Sequence, residues 1–111
     1  PPGCVHGYQS YVCRLREERS VEIATGASSA RDLLMARLEA RGVSTRQGTH
    51  AAALVTYYRE KYGHRDADFP NSALAERATI TLPLYPQMSD EEQDQVIAAL
   101  AEEFDALPIR P

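Results

Sequence analysis

A chain of 111 residues can bury one modest core, and its formal charge of −4 leaves no basic stripe to neutralise a phosphate backbone, which argues against sequence-independent nucleic-acid binding. No apolar run approaches the roughly 20 residues that a membrane-spanning helix needs, and no basic segment followed by an apolar one marks a signal peptide in this chain. Two cysteines, Cys4 and Cys13, are expected to be reduced: a bridge is possible by arithmetic, but Cys13 sits in an apolar run where a free buried thiol is the commoner state.

The start Pro1-Pro2-Gly3 predicts that residues 1–5 are the remnant of a linker and that residues 1–111 form a single domain of something longer. Tyr8 to Leu15 reads as a strand, with Tyr8, Ser10, Val12 and Arg14 alternating against Gln9, Tyr11, Cys13 and Leu15. A short strand around Val21–Ile23 is expected next. Ser29, followed three residues later by Asp32, opens a helix over Ala30–Arg41 that Gly42 closes, with Leu34 and Leu38 on its stripe. Val43, Ser44 and Thr45 then read as a brief strand entering a turn at Gly48. Thr49 is placed to cap a second helix, in which Ala51, Leu54, Val55, Tyr58 and Tyr62 recur at helical spacing until Gly63.

Pro70 fits the first turn of a third helix through Ala78. Thr79–Leu84 follows as a strand, and Pro83 within it implies an edge position or a strand end, because proline cannot donate to a ladder. Ser89 and Glu92 form the clearest capping box, with Asp90 and Glu91 adding negative charge where the helix dipole favours it. Val96, Ile97, Leu100, Ala101 and Phe104 are the expected buried face, and Pro108 stops the helix. The pattern predicts an α/β (α+β two-layer) fold, a small and mainly antiparallel sheet covered by helices.

Taken alone, no constellation here makes an active site: the sequence has no glycine-rich phosphate loop, no paired-cysteine metal motif and no nucleophile elbow. His6, His50 and His64 are not spaced as local metal ligands, and no metal site is expected. His50 stands at a predicted helix start beside Gly48 and Thr49 and near Arg46. Unpaired backbone N–H groups with a guanidinium nearby suit a carboxylate or phosphate, against the plainer reading that Thr49 caps the helix and Arg46 lies in solvent. Lys61 is the sole lysine. Beside Arg59 and Glu60 it reads as solvated, charged and a poor nucleophile. Tyr57, Tyr58, Tyr62 and Tyr85 suggest a sugar-stacking surface, although the spacing of Tyr58 and Tyr62 favours core or interface packing.

Three segments together resemble the DegT-type nucleotide-sugar aminotransferases: His6–Leu15, Arg31–Leu38 with Arg41–Arg46, and Leu82–Pro86 with Met88-Ser89 and Glu91–Gln93. The likeness runs from His6 to Leu100. It implies the small C-terminal domain of a fold-type-I, aspartate-aminotransferase-like enzyme that uses pyridoxal phosphate (PLP). The lysine and most phosphate contacts would then belong to a large domain, and the site would lie at a homodimer interface. The family's histidine is carried over to His50, and Arg46 and His50 become the candidate substrate-binding residues. The segment Gln47–Ala53 departs from the family's tyrosine- and proline-rich stretch. No cofactor-binding or catalytic residue is expected in this chain, since PLP chemistry needs a deprotonated lysine. The resemblance implies a cytoplasmic enzyme that moves an amino group from an amino acid, glutamate above all, to a keto sugar or related cyclitol. The alternative is a stand-alone, non-enzymatic binding module with the same small-domain fold.

Overall fold

A computed structural model describes residues 2–5, 7–16 and 29–108, so the expected strand at Val21–Ile23, and His6, lie outside the described residues. The elements run β1 (Tyr11–Arg14), α1 (Ala30–Ala40), β2 (Arg46–Gln47), α2 (Thr56–Tyr62), α3 (Pro70–Ala78), β3 (Thr79–Leu82) and α4 (Asp90–Asp105), with 3-10 turns at Ala52–Leu54 and Asp66–Asp68. Among the described residues the strands form one antiparallel sheet of order β1-β3-β2. The architecture is the expected mixed class, helices with a small antiparallel sheet.

The chain TITL of β3 occupies the centre because its Ile80 faces both neighbours, pairing with Cys13 on one side and Gln47 on the other, and is 1% exposed. Leu34 and Leu38 of α1 meet it in a core completed by Leu15, Val43, Ala99 and Leu107. β3 stops at Leu82, ahead of Pro83; the strand-end reading holds, since β3 is the central strand. β1 is shorter than expected. Tyr8 adopts φ +48, which takes the chain out of extended geometry before the ladder begins.

Both predicted capping boxes are present. The Ser29 hydroxyl accepts from Asp32 N–H at 3.2 Å while the Asp32 carboxylate accepts from Ser29 N–H at 3.3 Å, and Ser89 with Glu92 repeats the pattern at 3.2 and 2.9 Å. At the far end of α1, Gly42 has φ +79 and its N–H bonds Glu39 O, as a left-handed cap requires. The sequence did not predict that Arg31, on the same helix, would be buried. Its Nη1 donates to Glu76 O at 3.0 Å and Thr79 O at 3.2 Å, satisfying carbonyls at the end of α3, and its Nε donates to Asp32 at 2.6 Å.

The second helix differs most from expectation. Val55 is extended (φ −66, ψ 152) and separates the 3-10 turn at Ala52–Leu54 from α2, so Thr49 caps nothing and α2 has seven residues. This break puts Ala51 and Leu54 into a second small core with Ala73 and Phe69, while Val55, Tyr58 and Tyr62 turn outward. The brief strand likewise falls at Arg46–Gln47 rather than Val43–Thr45, because Val43 is drawn into the main core. On α4 the inward stripe is Val96, Ala99, Leu100 and Phe104; Ile97 is 54% exposed and Ala101 is exposed. Ala99, 3% exposed, is the one fully buried residue of α4 and belongs to the same cluster as Leu34 and Leu38 of α1.

Candidate functional site

β2 delivers the two residues singled out by sequence. Pairing of Arg46 with Thr81 and of Gln47 with Ile80 sends adjacent side chains to opposite faces, so Arg46 shares a face with Thr81 and Val12. Arg46 is exposed and carries no ion pair among the described residues. Directly after it the chain crosses the sheet edge at Gly48, whose N–H donates to Thr79 O at 3.1 Å. A Cβ at Gly48 would lie 2.5 Å from Thr79 Oγ1 and 2.7 Å from Val12 Cγ1, so only glycine lets the loop approach this closely.

His50 sits at the end of that loop with its side chain 73% exposed. Its Nδ1 is 3.3 Å from Gln47 Nε2 and 3.8 Å from Glu76 Oε1. The Gln47 amide also donates to Thr49 O at 2.8 Å and to Glu76 Oε1 at 3.3 Å. The structure thus gathers His50 with Gln47 and Glu76, and no hydrogen bond or ion pair joins His50 to Arg46 among the described residues. Glu76 comes from α3, twenty-six positions away along the chain, and no local spacing could have announced it. The predicted anion site of helix N–H groups is corrected: no helix begins at Thr49.

His64 plays a different part. Its Nδ1 lies 2.9 Å from Ala53 O, and because a carbonyl only accepts, that nitrogen donates. The ring stacks on Tyr62 and meets Phe69 edge-on at 4.9 Å. Tyr58 and Tyr62 stack on each other on the outer face of α2 rather than in a core. Behind them Arg59 and Arg77 both clamp Asp66, whose carboxyl is lowered by their hydrogen bonds, that of Arg59 first.

Among the described residues, two of the grooves that lie elsewhere stand out, and neither of these is lined by Arg46 or His50. One of about 720 Å³ runs between the turn after α1 and the start of α4, past Arg41, Ser44, Tyr85 and Glu92. There the hydrogen bond to Glu92 raises the Tyr85 phenol, and the Glu92 carboxyl is lowered by the Ser89 backbone bond and then by Tyr85. The other, about 440 Å³ and apolar, lies between β1 and α4 beside Tyr8, Tyr11, Leu84 and Ile97. Among the described residues no group of His, Cys, Asp and Glu could hold a metal, and no helix is long and apolar enough to cross a membrane. Both cysteines are free, Cys4 exposed and Cys13 half-buried, with burial raising the Cys13 thiol.

Lys61 does not suit the anchoring role in a PLP site. The cofactor requires a lysine that is neutral at working pH, whereas hydrogen bonds to Tyr57 and then Tyr62 raise Lys61, the sole lysine. Its Nζ donates to Tyr57 Oη at 3.0 Å and stands 5.3 and 5.2 Å over the Tyr57 and Tyr62 rings.

The fold is shared with solved aminotransferases of the PLP fold-type-I class. It matches "Putative sugar aminotransferase Spr1654" from Streptococcus pneumoniae in its PMP-form with a TM-score of 0.69 and 26% identity over 87% of this chain and 22% of that one. Helicobacter pylori PseC, an aminotransferase of pseudoaminic acid biosynthesis, matches with a TM-score of 0.73 at 12% identity over 88% of this chain and 24% of its own, a likeness of fold alone. A 44-residue stretch is 48% identical to the spore coat polysaccharide biosynthesis protein SpsC of Bacillus subtilis (strain 168), spanning 40% of this chain and 11% of that protein. The model of the DegT/DnrJ/EryC1/StrS aminotransferase family matches residues 15–101, and the chain belongs to that family. It spans about a fifth of the length of the solved aminotransferase chains it matches.

Proposed function

We propose that this chain is the small domain of a PLP-dependent sugar aminotransferase, a lid that orients a keto sugar and excludes water while a lysine elsewhere in the protein holds the cofactor. The observation that carries the reading is the pairing of family membership over residues 15–101 with a single lysine whose surroundings favour its charged form. When bound, PLP supplies the electron sink for amino transfer. The part left to this chain is binding. Arg46 offers an exposed guanidinium with no ion pair among the described residues and His50 an exposed imidazole, both suited to oxygen atoms of a nucleotide-linked keto sugar.

One feature supports a lid over a free-standing module. Large apolar side chains stand exposed beside the β1–α4 groove, among them Tyr11 and Ile97, a face expected to be covered in the whole protein. Glutamate is the proposed amino donor and a homodimer the proposed assembly, both by likeness to the family.

Borohydride reduction of the full-length protein with PLP, followed by peptide mapping, tests the reading. The expected result is one stoichiometric pyridoxyl-lysine outside residues 1–111, with Lys61 labelled no more than a surface lysine. A stoichiometric adduct at Lys61 would overturn it.

A further inference from the structure

The apolar groove between β1 and α4 does not end at Ile97. A second groove of about 350 Å³, also apolar, shares Cys13, Ile97 and Leu100 with it and runs on to Leu15 and Phe104. The two form one trough. Its floor on the strand side is Tyr11 and Cys13, which share the sheet face of Ile80, and its other wall is α4. Along α4 the trough runs from Gln93 to Phe104, about 16 Å or three turns at the rise of an α-helix.

Two observations define what the trough would take. The sequence of α4 lays out one apolar stripe of Val96, Ile97, Leu100, Ala101 and Phe104, yet Ile97 is more than half exposed and Ala101 is open. The stripe is wider than α1 and the sheet cover, and the uncovered part is the wall of the trough. Beyond that wall stand Asp94 and Asp90, three and seven positions before Ile97 and so on the same side of the helix. Both are exposed, and neither carries an ion pair among the described residues. An occupant therefore meets an apolar floor and, on the flank beside α4, two carboxylates. A strand laid there would leave its own N–H and C=O groups against apolar side chains, because the ladder edge of β1 points along the sheet and not into the layer above it. A helix satisfies its own backbone and completes the layer in which α1 and α4 already lie.

We propose that the trough seats an amphipathic helix of the same polypeptide from outside residues 1–111, about three turns long at the helical rise, with Lys or Arg on the flank that faces Asp90 and Asp94. This rests on the reading of the chain as the small domain of a longer enzyme: it spans about a fifth of the solved aminotransferase chains it matches, and the rest of such a protein supplies the helix. The chain ahead of β1 already passes the trough at Tyr8, so a segment joined there reaches the seat without a long crossing. Since β1 and β2 are opposite edges of the sheet, a helix in the trough holds the lid by one side and leaves the β2 side, with Arg46 and His50, free to face substrate.

The test uses the full-length protein and thiols placed on α4. Ile97→Cys should react with a bulky maleimide about a hundredfold more slowly than Gln95→Cys on the opposite side of the helix, since labelling under a seated helix awaits a local opening. Asp94→Lys should speed labelling of Ile97→Cys about threefold at low salt and less at high salt, as expected of a lost ion pair at the rim. A benzophenone side chain introduced at Ile97, and separately at Tyr11, should crosslink within one chain to a single segment outside residues 1–111, apolar at helical spacing and basic on one flank. Equal labelling of Ile97→Cys and Gln95→Cys would show the trough open and overturn the inference, while one pyridoxyl-lysine outside residues 1–111 would leave the small-domain reading standing. Crosslinks between two chains would give the seat to a second copy, and crosslinks confined to residues 1–111 would give it to this chain itself. Either outcome, or a crosslinked segment without cations beside Asp90 and Asp94, overturns the proposal.

Discussion

Replacing Gly48 with alanine should destabilise the chain by about 2–4 kcal/mol, and the reason is steric rather than conformational. The new Cβ would stand 2.5 Å from Thr79 Oγ1, 2.6 Å from Thr79 Cβ and 2.7 Å from Val12 Cγ1, where ordinary carbon contacts need about 3.5 Å or more. Thr79 cannot yield: its hydroxyl donates to Ala75 O at 2.6 Å, its carbonyl accepts from Arg31, and it lies in the central strand. The loop must therefore back away by about 1 Å, a typical overpacking cost of about 1–3 kcal/mol, and it loses the 3.1 Å bond from Gly48 N–H to Thr79 O, worth about 1 kcal/mol more. Urea unfolding should show a lower midpoint at unchanged slope. Adding Val12→Ala should recover less than half of the loss, since two of the three close contacts are to Thr79. A Gly48→Ala chain within about 0.5 kcal/mol of the parent would refute the reasoning, because a surface change without consequence falls in that range.

Arg31→Met keeps the buried stem but removes the side-chain donor from Glu76 O and leaves Thr79 O with the Gly48 N–H alone, and should cost about 1–3 kcal/mol by urea unfolding, with faster amide exchange at the end of α3 as the local sign. Ser89→Ala removes the acceptor for Glu92 N–H and should cost about 1 kcal/mol, read as a lower midpoint for loss of helical dichroism. Burial pushes the Asp32 carboxyl up, but the bonds from Arg31 and Ser29 and the charge of Arg31 more than offset it, so its folded value lies below the ordinary one. A group depressed in the folded state stabilises above its unfolded value and stops doing so as pH falls through the folded one. Stability should accordingly hold at neutral pH and decline below about pH 4, and Asp32→Asn should flatten that decline in acid titrations followed by fluorescence of the tyrosines.

Local chemistry was legible where it is self-contained. Both capping boxes, the Gly42 and Gly63 stops and the β-branched β3 follow from neighbours within four residues, and each stands close to where the sequence put it. What failed were inferences that needed to know which face another element would cover. The spacing of Leu54, Tyr58 and Tyr62 reads as one helical stripe, yet a single extended residue, Val55, lets Leu54 turn inward against Ala73 and Phe69 while the tyrosines turn out. On α4 Val96, Leu100 and Phe104 were read correctly, but Ala99 rather than Ile97 and Ala101 completes the buried face, because the burial of an alanine is set by packing and is invisible in hydrophobicity. At the candidate site the sequence supplied Arg46 and His50 but not Glu76 or the amide of Gln47, since their meeting depends on α3 lying beside the loop after β2. Gly48 was read as a turn; its clash with Thr79 is a contact across thirty-one positions.

The surroundings of Lys61 make the sharpest case for a chain that contributes to chemistry without performing it. A lysine that reacts with a carbonyl must be neutral at working pH, which enzymes achieve by desolvation or by a neighbouring cation. Lys61 has the opposite: hydrogen bonds to Tyr57 and then Tyr62 raise it above its ordinary value, and it occupies an exposed helix position over two ring faces whose quadrupoles suit a cation. From an ordinary value of about 10.4, fewer than roughly one in a thousand such amines is neutral at about pH 7.4, and the raised value lowers that further. Lys61→Met should therefore leave the cofactor absorbance and kcat of the full-length enzyme unchanged, whereas a lysine holding PLP could not be replaced without loss of both. If the absorbance disappears with Lys61, the assignment of the reacting amine to another part of the protein is wrong, and the aromatic cradle of α2 must be the site after all.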